Sequence, residues 1–146
     1  MINVNTVSKA LFDQIKDDQD VINLKCLVQH GEWVNADPSK TPWIGVYRDG
    51  LELEPITLGK TDWKADPVLK VIVQSASLDS GEACQILLDD LLMKTNAAIL
   101  KDLTFDGAVL ITTSIKVQYT YLEDARETLY FQGAILTIET EARASV

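Results

Sequence analysis

The residues able to do chemistry in this chain are few and far apart. His30 is the sole histidine and sits in QHGEW beside a glycine. A lone imidazole can act as a general base, but a solvated histidine at an element end fits this setting better. Cys26 and Cys84 stand alone, with no C-x-x-C spacing and no histidine cluster nearby. That pattern argues against zinc and favours two buried free thiols over a disulfide. Asp89 and Asp90 are adjacent in a helical pattern, so their side chains diverge by about 100° and cannot converge on one metal. Ser80-Gly81 lacks the surroundings of a nucleophile elbow, and the glycine-rich phosphate-binding motifs are absent from the chain. The remaining pair is Glu52 and Glu54, alternate residues of one strand pattern, about 7 Å apart on one face. A paired-carboxylate hydrolase could use such a spacing, although the wet side of a surface strand explains it more simply. The expectation is therefore no catalytic residue, no metal and no cofactor.

These residues need elements to hold them. The 146 residues suffice for one domain, 1–146, and 47% of them are apolar, which disfavours disorder. The formal net charge of −9 disfavours tracking a nucleic-acid backbone. No apolar run approaches the roughly 20 residues of a membrane-spanning helix, and the first 20 residues lack the layout of a secretory leader.

Val7, Leu11, Phe12 and Ile15 lie at helical spacing, which predicts a helix over 7–19 capped by Thr6 or Ser8. Val21–Gln29 fits either a strand or an extension of that helix. NADPSKT, 35–41, is dense in turn formers and predicts a loop. Trp43–Tyr47 predicts a short strand, Asp49-Gly50 a tight hairpin turn, and Leu51–Glu54 a half-buried return strand ended by Pro55. Asp66-Pro67 opens a further strand over 68–76. Asp79 and Glu82 predict the start of a main helix over about 79–94. A second turn falls at Asp106-Gly107. From Val109 to Tyr121 apolar and polar residues alternate, the clearest strand pattern in the chain. The polar stretch 123–127 then leads back into a final strand.

That last strand contains ETLYFQG, one residue away from ENLYFQG, the site cut by a protease used to remove purification tags. Engineered scars have no place in fold reasoning. Here the alternation continues past the heptapeptide, through Ala134, Leu136 and Ile138, and predicts one strand over 128–140, with Gly133 at a bulge or a close approach. The order of elements predicts an α+β fold, a mostly antiparallel sheet with helices packed on one face.

The stretches NADPSKTPWIGVYRDG, VLKVIVQS, EACQILLDDLLM, LTFDG, IKVQYTY and ETLYFQGAILTIETEAR, in that order, resemble the tail terminator (tail completion) proteins of tailed bacteriophages. The likeness covers nearly the whole chain through short motifs. It implies a structural virion protein in the neck region of the tail, assembled in the bacterial host cytoplasm. It implies a homo-oligomeric ring, usually a hexamer, seated on tail tube protein, stopping tube growth and offering a face to the head-tail connector protein. DNA would pass through the pore without specific binding, between like-charged walls. Trp43, Tyr47, Glu52 and Glu54 are the candidate interface residues. The alternatives are a head-tail connector or head-completion adaptor, and a small carboxylate-dependent hydrolase using Glu52 and Glu54.

Overall fold

The first helix, α1 (Val4–Lys16), begins three residues earlier than its apolar spacing suggests, because Asn3 supplies the cap. The Asn3 carboxamide oxygen accepts the Asn5 and Thr6 N–H groups, at 3.0 and 3.3 Å. Val7, Ser8, Leu11, Phe12 and Ile15 form its buried stripe. The ambiguous segment after it divides in two. Asp18 caps a single short helix, α2 (Gln19–Asn23), and β1 (Leu27–His30) follows.

The computed structural model describes residues 3–31, 37–56, 62–122 and 129–145. Asn35 and Ala36 of the expected loop, the connection 123–127 and the first two residues of ETLYFQG lie outside that range; Pro38–Lys40 makes a 3-10 turn.

The chain forms five strands in the order β1-β2-β3-β5-β4. They are β1, β2 (Trp43–Pro55), β3 (Asp62–Ser77), β4 (Ile111–Leu122) and β5 (Tyr130–Ser145). Among the described residues, β1 and β2 run parallel and the other pairings are antiparallel. With α1 and α3 (Gly81–Leu100) on one face, the fold is α+β as expected.

Two predicted features are overturned. Asp49-Gly50 is not a hairpin turn. The strand runs straight through it, pairing Arg48 with Leu69 and Gly50 with Val68, so that Asp49 is the extra residue of a β-bulge. β2 continues through the glycine to Pro55. Asp66-Pro67 likewise does not open β3 but lies inside it. Proline cannot donate to a ladder, and the β3–β5 pairing skips Asp66 and Pro67 while keeping register on either side. The Thr140 hydroxyl donates to Pro67 O at 2.7 Å, so the carbonyl there is satisfied by a side chain.

The main helix is longer than expected. Ser80 is its cap, accepting the Ala83 N–H at 3.0 Å. The helix continues past the expected end at 94 to Leu100, and the Thr95 hydroxyl donates to Leu91 O at 2.7 Å, satisfying itself within the helix. The turn at Asp106-Gly107 forms as predicted, with Phe105, Asp106 and Gly107 all in the left-handed region. The hairpin of β4 with β5 also forms, from Ile111 opposite Glu141 to Leu122 opposite Phe131. Gly133 is a close approach, not a bulge: it pairs regularly with Gln74 and Thr120. The core lies between the helices and one sheet face. It is built from Leu11 and Ile15, from Leu88, Leu91 and Ile99, and from Ile44, Val71, Val73, Leu136 and Ile138 beneath them.

Candidate functional site

The structure brings one nucleophile–base pair together that the sequence reading missed. Ser8 Oγ lies 2.8 Å from His30 Nε2. Ser8 Oγ also lies 3.0 Å from Asn5 O, to which it can donate. With the hydroxyl proton given to that carbonyl, His30 Nε2–H donates to Ser8 Oγ. Ser8 is fully buried, so a substrate has no approach to its oxygen. Burial first, and the Lys9 ammonium second, hold the His30 imidazole below its ordinary pKa, opposed in part by Asp13. The pair ties α1 to β1. Its sequence signal was present: Ser8 falls on the same stripe as Leu11, Phe12 and Ile15.

The other candidates stay apart. Cys84 is buried and approaches the carbonyls of Ser75 and Tyr130 at 3.5 Å, while Cys26 approaches Val21 O at 3.4 Å. Both are free thiols, and burial pushes the Cys26 thiol up. Asp90 pairs with Lys94 at 3.2 Å, whereas Asp89 turns toward the Tyr119 hydroxyl at 3.5 Å. The two carboxylates diverge as their adjacency requires. Among the described residues, no three or more His, Cys, Asp or Glu side chains are grouped to hold a metal ion.

Glu52 and Glu54 are exposed on the sheet face turned away from the helices, opposite Asp66 and Lys64 of β3. Lys64 lies 3.7 Å from Asp66 and 3.9 Å from Glu141, and Lys116 lies 3.1 Å from Glu139. This half of the open face is thus a field of carboxylates stitched by a few lysines. Tyr47 is half-buried on the same face, and burial, aided by Asp49, raises its phenol pKa. Trp43 is fully buried, its indole N–H donating to Gln29 Oε1 at 2.7 Å. Truncating Trp43 would therefore perturb the interior, while Tyr47, Glu52 and Glu54 reach the surface.

Two of the clefts among the described residues have volumes of about 260 and 250 Å³. Both fall below the range of roughly 300–1,000 Å³ usual for small-molecule sites. The first lies between α3 and the β4–β5 hairpin, beside Asp89, Tyr119 and Gly133.

The larger anomaly is on α3. Its inner side buries Cys84, Leu88, Leu91, Leu92, Ala98 and Ile99. Its outer side presents Ile86, Met93 and Leu100, seven residues apart, at 63%, 71% and 52% exposure. Leu87 and, just before the helix, Leu78 are exposed as well. Ile86, Leu87 and Met93 are apolar residues of the helical stretch, and the structure turns all three outward while burying Leu91. A helix apolar on both sides is ordinarily covered on both sides, and this is the signal that the spacing did not resolve. Tyr119 and Val117 of β4 are also exposed, on the helix side of the sheet near its β4 edge.

No protein-family model matches this chain. No curated protein matches it. Among solved structures it is similar to a chain of the "Virion of native gene transfer agent (GTA) particle", at 12% identity over 94% of each chain, with a TM-score of 0.45. Neither family nor function follows from a likeness of that size.

Proposed function

We propose that this chain is a structural virion protein of a tailed phage or phage-like particle, and that it ends the tail tube as a ring of identical copies, most simply six. The observation that carries this reading is the outer side of α3. Ile86, Met93 and Leu100 form an apolar row on a helix whose other side already fills the core. Assembly with another protein surface would remove that row from water. The resemblance of the sequence to tail terminators supplies the kind of assembly.

Two further features support it. The residues with catalytic potential are dispersed, or sealed as Ser8 is, which suits a scaffold. Each copy carries a formal charge of −9, and Glu52, Glu54 and Glu139 lie on the open sheet face. A lumen lined by carboxylates would repel phosphate and let DNA slide. Tyr47, Glu52 and Glu54 are the proposed interface residues with surface exposure, and the neck of the tail is the proposed location, between tube protein and head connector.

The test is electron microscopy of particles assembled without this protein. Overlong tails are the expected result. Tails of normal length detached from heads would assign the chain to a head-tail adaptor instead, and unchanged particles would refute both roles.

A further inference from the structure

We infer that neighbouring copies join by their sheet edges, the outer side of β4 in one copy pairing antiparallel with Tyr47–Pro55 of β2 in the next. This rests on the ring reading above and names the surface that would close it.

The sheet leaves two edges open. Among the described residues, β4 has β5 on one side and no strand on the other. At the opposite edge β1 covers β2 only from Trp43 to Val46. Among the described residues, the rest of β2, Tyr47–Pro55, therefore also has no strand on that side. Such edges are templates for strand addition.

The two edges match in direction and height. β2 and β5 run one way, β3 and β4 the other. A second copy set alongside without inversion thus brings its β2 antiparallel to β4, the more stable pairing. The helices of both copies then lie on the same side of one continuous sheet. Height follows from the register. Ile115 lies across Ile138 and Leu69 from Arg48, and Lys116 lies across Thr137 and Lys70 from Tyr47. The first half of β4 is therefore level with the uncovered half of β2, and β1 does not stand between them.

The edges also match in charge. The β4 sequence ITTSIKVQYTYL contains no carboxylate and carries Lys116, whose side chain is 70% exposed. Tyr47–Pro55 carries Asp49, Glu52 and Glu54 against the single cation Arg48. Opposite balances favour β4 on β2, and the carboxylates disfavour β2 on β2. Joining two unlike edges is a head-to-tail contact, the kind that closes into a ring when the rotation permits. Each edge also carries a bulge, at Asp49 and at Thr113. Bulges twist an edge away from indiscriminate pairing and leave a partner of matching shape favoured.

The test mixes two single-cysteine chains, Ser114→Cys on β4 and Glu52→Cys on β2, both on the open sheet face. They are treated with a short bismaleimide in concentrated solution and in assembled particles, with the unmodified chain as the control for Cys26 and Cys84. A covalent dimer that forms only from the mixture is the expected result. A dimer from Ser114→Cys alone would mean that β4 pairs with itself, and would overturn the inference. In parallel, Glu52→Lys with Glu54→Lys should weaken assembly about ten-fold or more, with unchanged thermal melting. Adding Lys116→Glu should recover part of the loss. Assembly that survives the double reversal, or oligomers without the mixed cross-link, would overturn the edge contact. The capping role is judged separately by tail length, so overlong tails with no β4–β2 cross-link would remove this inference alone.

Discussion

Gln14 on α1 should be a major tie between the first helix and the main one. Its side-chain Nε2 lies 2.9 Å from Ala98 O, 3.0 Å from Ile99 O and 3.0 Å from Asp102 O. The Ala98 and Ile99 carbonyls belong to the last turn of α3, which has no partner within the helix, and Asp102 lies two residues beyond its end. Ala98 and Ile99 are buried, so water reaches their carbonyls poorly. One amide offers two N–H groups to three acceptors, which makes about two effective bonds. At roughly 1 kcal/mol net per bond, with some added cost for carbonyls left dry, removal should cost about 2–3 kcal/mol. Alanine is the better helix former by a few tenths of a kcal/mol. Gln14→Ala should then destabilise the fold by about 2 kcal/mol, lowering the melting temperature by about 4–8 °C for a chain of this size. Gln14→Glu should be worse near neutral pH, since a carboxylate would face three carbonyl oxygens, and milder at acid pH, where the carboxylic acid regains one donor. The assay is urea unfolding followed by circular dichroism at two pH values. A loss under 0.5 kcal/mol in Gln14→Ala, or a Gln14→Glu variant insensitive to pH, would refute the capping argument.

Gly133→Ala should cost about 1–3 kcal/mol, because a Cβ there would lie 3.0 Å from Thr120 Oγ1 and 3.1 Å from Val73 O; the double variant with Thr120→Ala should recover only part of that on thermal melting, since the carbonyl cannot withdraw. The tag-removing protease should cut the folded chain slowly at Gln132-Gly133, because both residues are paired with β3 and β4 on either side, and an extended substrate needs that sheet opened; rapid cleavage under native conditions would contradict the pairing. The fold holds the His30 imidazole below its ordinary pKa of about 6.5. Its contribution to stability is therefore fully present above that value and lost as pH falls through the lowered pKa; His30→Gln should flatten this part of the stability–pH curve. Ile86→Lys and Met93→Lys should each change monomer stability by about 0.5 kcal/mol or less, since both side chains are mostly exposed, yet reduce incorporation into particles, which quantitative blotting of purified tails would measure.

Much of the architecture was legible because it depends on local periodicity. The alternation of Val109–Tyr121 and of Ala134–Ile138 specifies two paired strands whatever else the chain does, and the structure joins them from Ile111 to Leu122. The stripe of Val7, Leu11, Phe12 and Ile15 specifies a helix in the same way. One histidine and two isolated cysteines are a matter of composition and spacing, whereas the contact of His30 with Ser8 is made only by the fold. Long-range packing decided the rest. Asp49-Gly50 has the local chemistry of a turn, but continuous pairing with β3 makes it a bulge. Asp66-Pro67 reads as a strand start, but β2 on one side and the Thr140 hydroxyl on the other hold it inside β3. Trp43 has the composition of an exposed anchor, and Gln29 and the surrounding fold bury it. The division of α3 into a buried and an exposed apolar side could not be read from a helix apolar all round, because spacing sets only which residues share a face. Which face meets the sheet depends on where β3 and β5 lie, and those contacts are made by residues far apart in the chain.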